Sequence, residues 1–247
     1  MAIGLRKKAF RRAPAEIAQP ATSSFQPRTP VLRSFFSRRD DTSSQTPTRL
    51  SGPRIPRHSG AWAALRKYLA TETNLRVLDI GPTSPANVNF LTQNGHGIWM
   101  ADLASDALKG QWETSSPEPG EPPVFATEAF LAQNMDFGGR EFDVVLLWTA
   151  LDYIPEGLVQ PLVDRLHASM RPGGRLLAIF HAKMTGPNTD YYRYHLTDSD
   201  SVEMQETEHF PVKRIYTNRN IEKLFSKFSN TRFFLAKDNL YEVLITR

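Results

Sequence analysis

The 247-residue sequence contains no cysteine. Disulfide staples, thiolate metal ligands and a cysteine nucleophile are thereby excluded together. Its six histidines are scattered without ligand spacing, so no metal centre is expected. Long apolar runs are also missing: the best, VVLLW at residues 144–148, falls far short of the roughly 20 residues a membrane-spanning helix needs. The opening MAIGLRKKAFRR is basic but is not followed by the apolar stretch of a secretory signal. The expectation is a cytoplasmic protein with no membrane span. An Arg- and Ser-rich, acid-poor start also has the composition of an organellar transit peptide.

Acidic residues are scarce in one part of the chain only. Residues 1–60 hold twelve Lys and Arg against three acids, whereas residues 61–247 hold eighteen against twenty-three. The formal charge of +4 is therefore an average over a basic segment and an acidic one. Residues 1–59 also carry seven prolines and thirteen Ser or Thr. Such a segment buries too little apolar surface to offset about 1–2 kcal/mol of backbone entropy per ordered residue. It reads as a disordered basic tail, followed by one folded domain over residues 60–247. The tail suits a nucleic-acid or acidic-surface partner, or a solvated extension, since its charges are spread out rather than blocked.

In the remainder, residues 61–73 place Trp62, Leu65 and Leu69 at helical spacing. RVLDIG at 76–81 is a short apolar run ending in an acid and a glycine, the pattern of a buried parallel strand meeting a ligand-binding turn. A helix over 86–93 and a strand over 96–102 follow, then a helix over 105–112 and a Pro-rich loop, SSPEPGEPP. Residues 124–137 fit a helix with a short strand or an irregular edge strand equally well. FDVVLLW at 142–148 is the clearest buried strand, with a helix over 157–170 and a second apolar strand, RLLAIF, at 175–180. Strands alternating with helices imply right-handed crossovers and a largely parallel sheet. A helix over 220–228 precedes strands at 231–237 and 240–247, whose two-residue link requires an antiparallel hairpin. The fold class is thus α/β: a doubly wound, mostly parallel, seven-stranded sheet ending in an antiparallel C-terminal hairpin.

RVLDIGPTSPANVNFLTQNG with GIWMADL, then FDVVLLWTALDYIP, then LHASMRPGGRLLAIF resemble the class I S-adenosylmethionine-dependent methyltransferases over residues 62–247. The resemblance implies S-adenosylmethionine as cofactor. It places Asp79 near the methionine ammonium group, Gly81 at the tight approach to the ligand, Asp102 on the ribose hydroxyls and Leu103 over the adenine. Trp148 and Thr149 would line the cleft where donor meets acceptor. Physical reasoning agrees on the place, because open parallel sheets bind ligands at strand carboxyl ends near the switch point. Local alternatives stand beside each role: Asp79 as an Asx turn, Asp102 as the N-cap of the next helix, Trp148 as core.

The sequence departs from the family's glycine motif. Only Gly81 remains in DIGPTSPA, Pro82 removes a backbone donor, and Pro85 restricts Ser84 while suiting a helix start. Thr83 and Ser84 hydroxyls are candidate replacements. The acid that usually holds the adenine amino group has no match beyond Asn134 or Asp136. For the acceptor, methyl transfer demands alignment, and a base only if the acceptor is protonated. His181, at a strand end, is the leading candidate base; Asp152 and Tyr153 are the next. Residues 182–216 are long for a connection and read as a cap-like insertion that selects the acceptor, with 191–195 and 201–208 as possible paired strands. No Asn-Pro-Pro-Tyr-type motif is present, which disfavours base methylation. The expected function is methyl transfer to a small-molecule or other O or N nucleophile. Its alternatives are a catalytically degenerate binding or scaffold protein and an RNA-associated methyltransferase recruited by the tail.

Overall fold

A computed structural model describes residues 52–116, 120–184, 186–236 and 238–247. The expectation of disorder over residues 1–51 lies outside them. Its upper boundary is corrected: β1 (Arg54–His58) is a strand, paired antiparallel with β9 (Ser201–Phe210). Pro56 is tolerated there because β1 is the edge strand of its sheet. Arg57 explains why the segment orders. Its guanidinium is buried and paired with both Asp238 and Glu242.

The chain continues through α1 (Gly60–Thr71), β2 (Arg76–Ile80), α2 (Pro85–Gln93), β3 (Gly97–Ala101) and α3 (Leu103–Lys109). Ser59, Ser84 and Asp102 cap the three helices, each side chain accepting from the backbone N–H three residues on. Pro85 stands at the first turn of α2, where its missing N–H would be unpaired anyway. Next come β4 (Glu113–Thr114), β5 (Val124–Phe125), α4 (Thr127–Asn134), β6 (Phe142–Trp148), α5 (Ala150–Tyr153), α6 (Glu156–Ser169) and β7 (Met170–His181). The chain ends with β8 (Thr189–His195), β9, α7 (Asn218–Leu224), β10 (Asn230–Phe234) and β11 (Leu240–Thr246).

The main sheet has six strands in the order β10-β11-β7-β6-β2-β3. β3, β2, β6 and β7 run parallel, and β11 and β10 close the far edge antiparallel. The expected seventh strand is not formed among the described residues. Val124–Phe125 instead pairs with Glu113–Thr114 in a two-stranded sheet before the chain turns into α4. The C-terminal hairpin also has a longer link than the two residues expected. Strand β10 stops at Phe234, and Asp238 turns away to Arg57 while its Oδ1 accepts from the Leu240 N–H. Helix α7 begins early because Thr217 and Asn220 form a capping box.

Side chains alternate across the sheet and feed two cores. Leu78, Ile80, Val145, Leu147 and Leu176 face α3 to α7, while Val77, Val144, Leu146 and Leu177 face α1 and α2. β6 is buried along its whole length, as a strand covered on both faces must be. The segment expected as an insertion contains β8 and β9, which pair antiparallel and recruit β1 into a separate three-stranded sheet. Tyr194 and Val202 of this hairpin join the second core. Among the described residues, no helix is long and apolar enough to cross a membrane.

Candidate functional site

β2 and β6 are neighbours, and the chain departs to opposite sides of the sheet around them, which defines the switch point. Asp79, near the end of β2, is buried and fully committed. Its Oδ1 accepts from Trp148 Nε1 and its Oδ2 from Asn87 Nδ2, both at 2.7 Å. Burial raises its pKa to about 6, against the two hydrogen bonds, which lower it, with the charge of Asp102 adding to the rise. Gly81 does not take a positive φ; what matters at this position is the missing Cβ. A Cβ at this position would meet Trp148 Cδ1 at 3.2 Å, so the glycine makes room for the indole. Trp148 itself holds a φ of 47°, a left-handed conformation at the end of β6.

The other strand-end groups are engaged by β8. Tyr191 donates its hydroxyl to Asp102 Oδ1 at 2.9 Å, and Arg193 Nε donates to the Thr83 carbonyl at 2.7 Å. His195 Nδ1 lies 2.8 Å from Ser84 Oγ. These three residues alternate along one strand, which reaches both the end of β3 and the loop after β2. Tyr194 adds a parallel ring stack on Trp148, with centroids 4.7 Å apart. Asn87, which sequence reasoning passed over, ties the strand down further. Its Nδ2 donates to the Tyr194 carbonyl and its Oδ1 accepts from the Leu196 N–H. In sequence it is one of three asparagines in the stretch 87–94, and nothing local marks it out.

The remaining expected residues fall as follows. Asp102 caps α3 through Ser105 N in addition to holding Tyr191. Leu103 is buried in the core with α4 and β6 residues. Asn134 turns back to the Phe130 carbonyl of its own helix, and Asp136 accepts from Gly138 N. Thr149 is buried at the start of α5. His181 and Asp152 are brought together: Asp152 Oδ2 accepts from both the backbone N and Nδ1 of His181, each at 2.7 Å. Asp152 is wholly buried and its pKa is raised to about 6 by that burial, against the His181 interactions, which lower it. Tyr153 packs edge-on to the His181 ring and donates to the Asp190 carbonyl at 2.9 Å. On the outer face of the hairpin, His209 stands between Asp190 and Glu206, a grouping that sequence spacing did not suggest.

These features define a class: a doubly wound α/β domain with acids at two adjacent strand ends and a reversed C-terminal hairpin. The sequence matches the model of the family described as "Methyltransferase domain" over residues 56–228, more than two thirds of its length. The chain belongs to that family, which uses S-adenosylmethionine. No curated protein matches it. Among solved structures it is similar to 1,6-didemethyltoxoflavin-N1-methyltransferase of Burkholderia thailandensis, solved with S-adenosylhomocysteine. The identity is 15% over 76% of this chain and 77% of that one, with a TM-score of 0.41. It is also similar to magnesium protoporphyrin IX methyltransferase of Synechocystis, solved with S-adenosylmethionine, at 12% identity over 75% and 77% with a TM-score of 0.40. A third likeness is to a methyltransferase of Methanosarcina mazei, at 13% over 73% and 96% with a TM-score of 0.43.

The strand-end groups do not fit S-adenosylmethionine in the described arrangement. Asp79, the Thr83 carbonyl, Ser84 and one oxygen of Asp102 are already satisfied by Trp148, Asn87 and β8, and the space beside Gly81 holds the indole. Of these partners Tyr191, Arg193 and His195 belong to β8, whereas Trp148 and Asn87, which hold Asp79, belong to β6 and α2.

Proposed function

We propose that this chain is a methyltransferase acting on a small-molecule O or N nucleophile, and that its donor edge is uncovered only when the β8–β9 hairpin moves. One observation carries the reading. Within a chain of this family, Asp79 and Asp102 stand at the ends of the adjacent parallel strands β2 and β3, where a ribose and a methionine head would be held. Only hydrogen bonds from neighbouring side chains, rather than missing groups, stand between these acids and a ligand. Calorimetric titration with S-adenosylhomocysteine tests this: saturable binding that Asp102→Ala weakens supports it. Absence of binding by the wild type and by a variant with a loosened hairpin rejects it.

A second reading is favoured by the same hairpin. If Tyr191, Arg193 and His195 hold β8 in place permanently, the fold serves as a binding or scaffold domain without methyl transfer. On the methyltransferase reading the acceptor is a small molecule; of the basic residues before residue 60, Arg54 and Arg57 are paired within the domain, with Glu203 and with Asp238 and Glu242.

A further inference from the structure

Strands β8 and β9 pair with one irregularity. Asp190 stands opposite His209, Tyr191 opposite Glu208 and Tyr192 opposite Glu206, so Thr207 is an extra residue in β9, a bulge. Its hydroxyl donates to the Tyr191 carbonyl at 2.6 Å and fixes the bulge in place. The consequence lies in the side chains. Residues three apart on a regular strand face opposite sides of the sheet, whereas the extra residue brings Glu206 and His209 to one face, beside Asp190. His209 Nδ1 lies 2.8 Å from Asp190 Oδ1, and its Nε2 lies 3.2 Å from Glu206 Oε1. One nitrogen and two carboxylate oxygens, one atom from each residue, all lie within 4.8 Å of one another.

Charge separates this group from ordinary surface acids. The other glutamates that β9 presents have basic partners, Glu203 with Arg54 and Glu208 with Lys109. Among the described residues no Lys or Arg pairs with Asp190 or Glu206, whose one basic partner is His209. Asp190 also lines a cavity of about 480 Å³, but the Arg57 guanidinium there is taken by Asp238 and Glu242 and does not offset it. Tyr192, on the same face, registers the surplus. Burial pushes its hydroxyl up to about 12, and the bond to Asp190 and the charges of Asp190 and Glu206 add to the rise.

We propose that Asp190, Glu206 and His209 form a site for a zinc-class divalent ion that clamps β8 to β9. An imidazole nitrogen with two carboxylates suits zinc and its transition-metal neighbours, whereas magnesium and calcium take all-oxygen shells. Two carboxylates and a neutral imidazole balance the charge of the ion, and three protein ligands leave a fourth tetrahedral position to water. Ligands about 2.0–2.2 Å from zinc stand roughly 3.3–3.5 Å apart, so the three atoms must close by about 1 Å. The side chains are free to do so, being 42% exposed at Asp190, 51% at Glu206 and 58% at His209. The Tyr192 hydroxyl, donating to Asp190 Oδ2, orients that carboxylate from behind and leaves Oδ1 to the ion. The site is independent of the methyltransferase reading.

The test uses zinc chloride and the full chain, freed of metal by a chelator. Calorimetric titration should show one saturable site filling at about micromolar zinc or below, and the thermal midpoint should rise as it fills. His209→Ala, Glu206→Gln and Asp190→Asn should each weaken binding at least about tenfold. Glu206→Gln, the gentlest change at an exposed side chain, keeps the test decisive if another variant misfolds. His58→Asn, at an exposed histidine paired with the opposite end of β9, should bind zinc as the wild type does. Magnesium in about hundredfold excess should leave the zinc in place. Binding only at millimolar zinc, or an affinity unchanged in Glu206→Gln and His209→Ala, overturns the proposal. So does a loss in His58→Asn equal to that in His209→Ala, or displacement of the zinc by magnesium.

Discussion

Trp148 donates its indole N–H to Asp79 across the switch point, at 2.7 Å and out of contact with water. The contact joins the ends of β2 and β6 and explains three sequence features together: the lone Gly81, the aromatic at the end of FDVVLLW and the left-handed φ it accepts. Trp148→Phe keeps the ring stack with Tyr194 but leaves a buried carboxylate oxygen unpaired. A loss of about 1–3 kcal/mol in urea unfolding is expected.

Asp79 and Asp152 make stability depend on pH in an unusual direction. Both have folded pKa values raised from 3.8 to about 6. Between those values the folded chain binds protons that the unfolded chain does not, so their contribution is full below about pH 4. It is lost as pH rises through about 6. The expected outcome is read against Asp79→Asn. Wild type should gain relative to this variant as pH is lowered from 7 to about 4, by up to about 3 kcal/mol for a shift of two units. Urea unfolding of both proteins across this range checks it.

Arg57 fastens β1 to the domain. Glu242, on β11, is 1% exposed, pairs with Arg57 and accepts from the Ala61 N–H at the start of α1. Arg57→Met strands a buried carboxylate and should cost about 3–5 kcal/mol, measured by urea unfolding.

Removal of residues 1–51 should leave the thermal midpoint of the domain unchanged, whereas removal of residues 1–59 should lower it by several degrees. The second deletion takes away a paired strand and the Arg57 ion pairs. Differential scanning calorimetry of the two truncated chains makes the comparison.

Much of this architecture was readable from the chain. Period and punctuation marked β2, β6 and β7 as buried strands and placed α1, α2 and α6 between or before them, because these elements bury apolar residues at regular spacing. Tyr191 to His195 and its partner strand were visible as alternation. The misses have a common physical cause. β1 reads as tail because Pro53 before it, and Pro56 and two arginines within it, hide a strand whose order comes from Glu242 and Asp238, some 180 residues away. The long C-terminal link arises from the same ion pairs. At the site, the positions of Asp79, Asp102 and His181 at or beside strand ends, and of Asp152 shortly after β6, were readable. Their pairing was not: which group faces Trp148, Tyr191 or another partner is decided by tertiary approach. Asn87 could not have been found, since its role is to bond the backbone of a strand more than 100 residues on.

On the proposed methyltransferase reading, the chain's own hairpin closes a donor edge that is otherwise competent. Tyr191→Phe combined with Arg193→Ala removes the hydrogen bonds to Asp102 and to the Thr83 carbonyl while leaving buried His195 in place. When a binding-competent state is rarely populated, apparent affinity falls by that fraction, and loosening the closed state restores it. Calorimetric titration with S-adenosylhomocysteine should therefore show binding at least about tenfold tighter in the double variant than in the wild type. Equal affinities in the two proteins, or no heat of binding in either at millimolar ligand, would contradict the account.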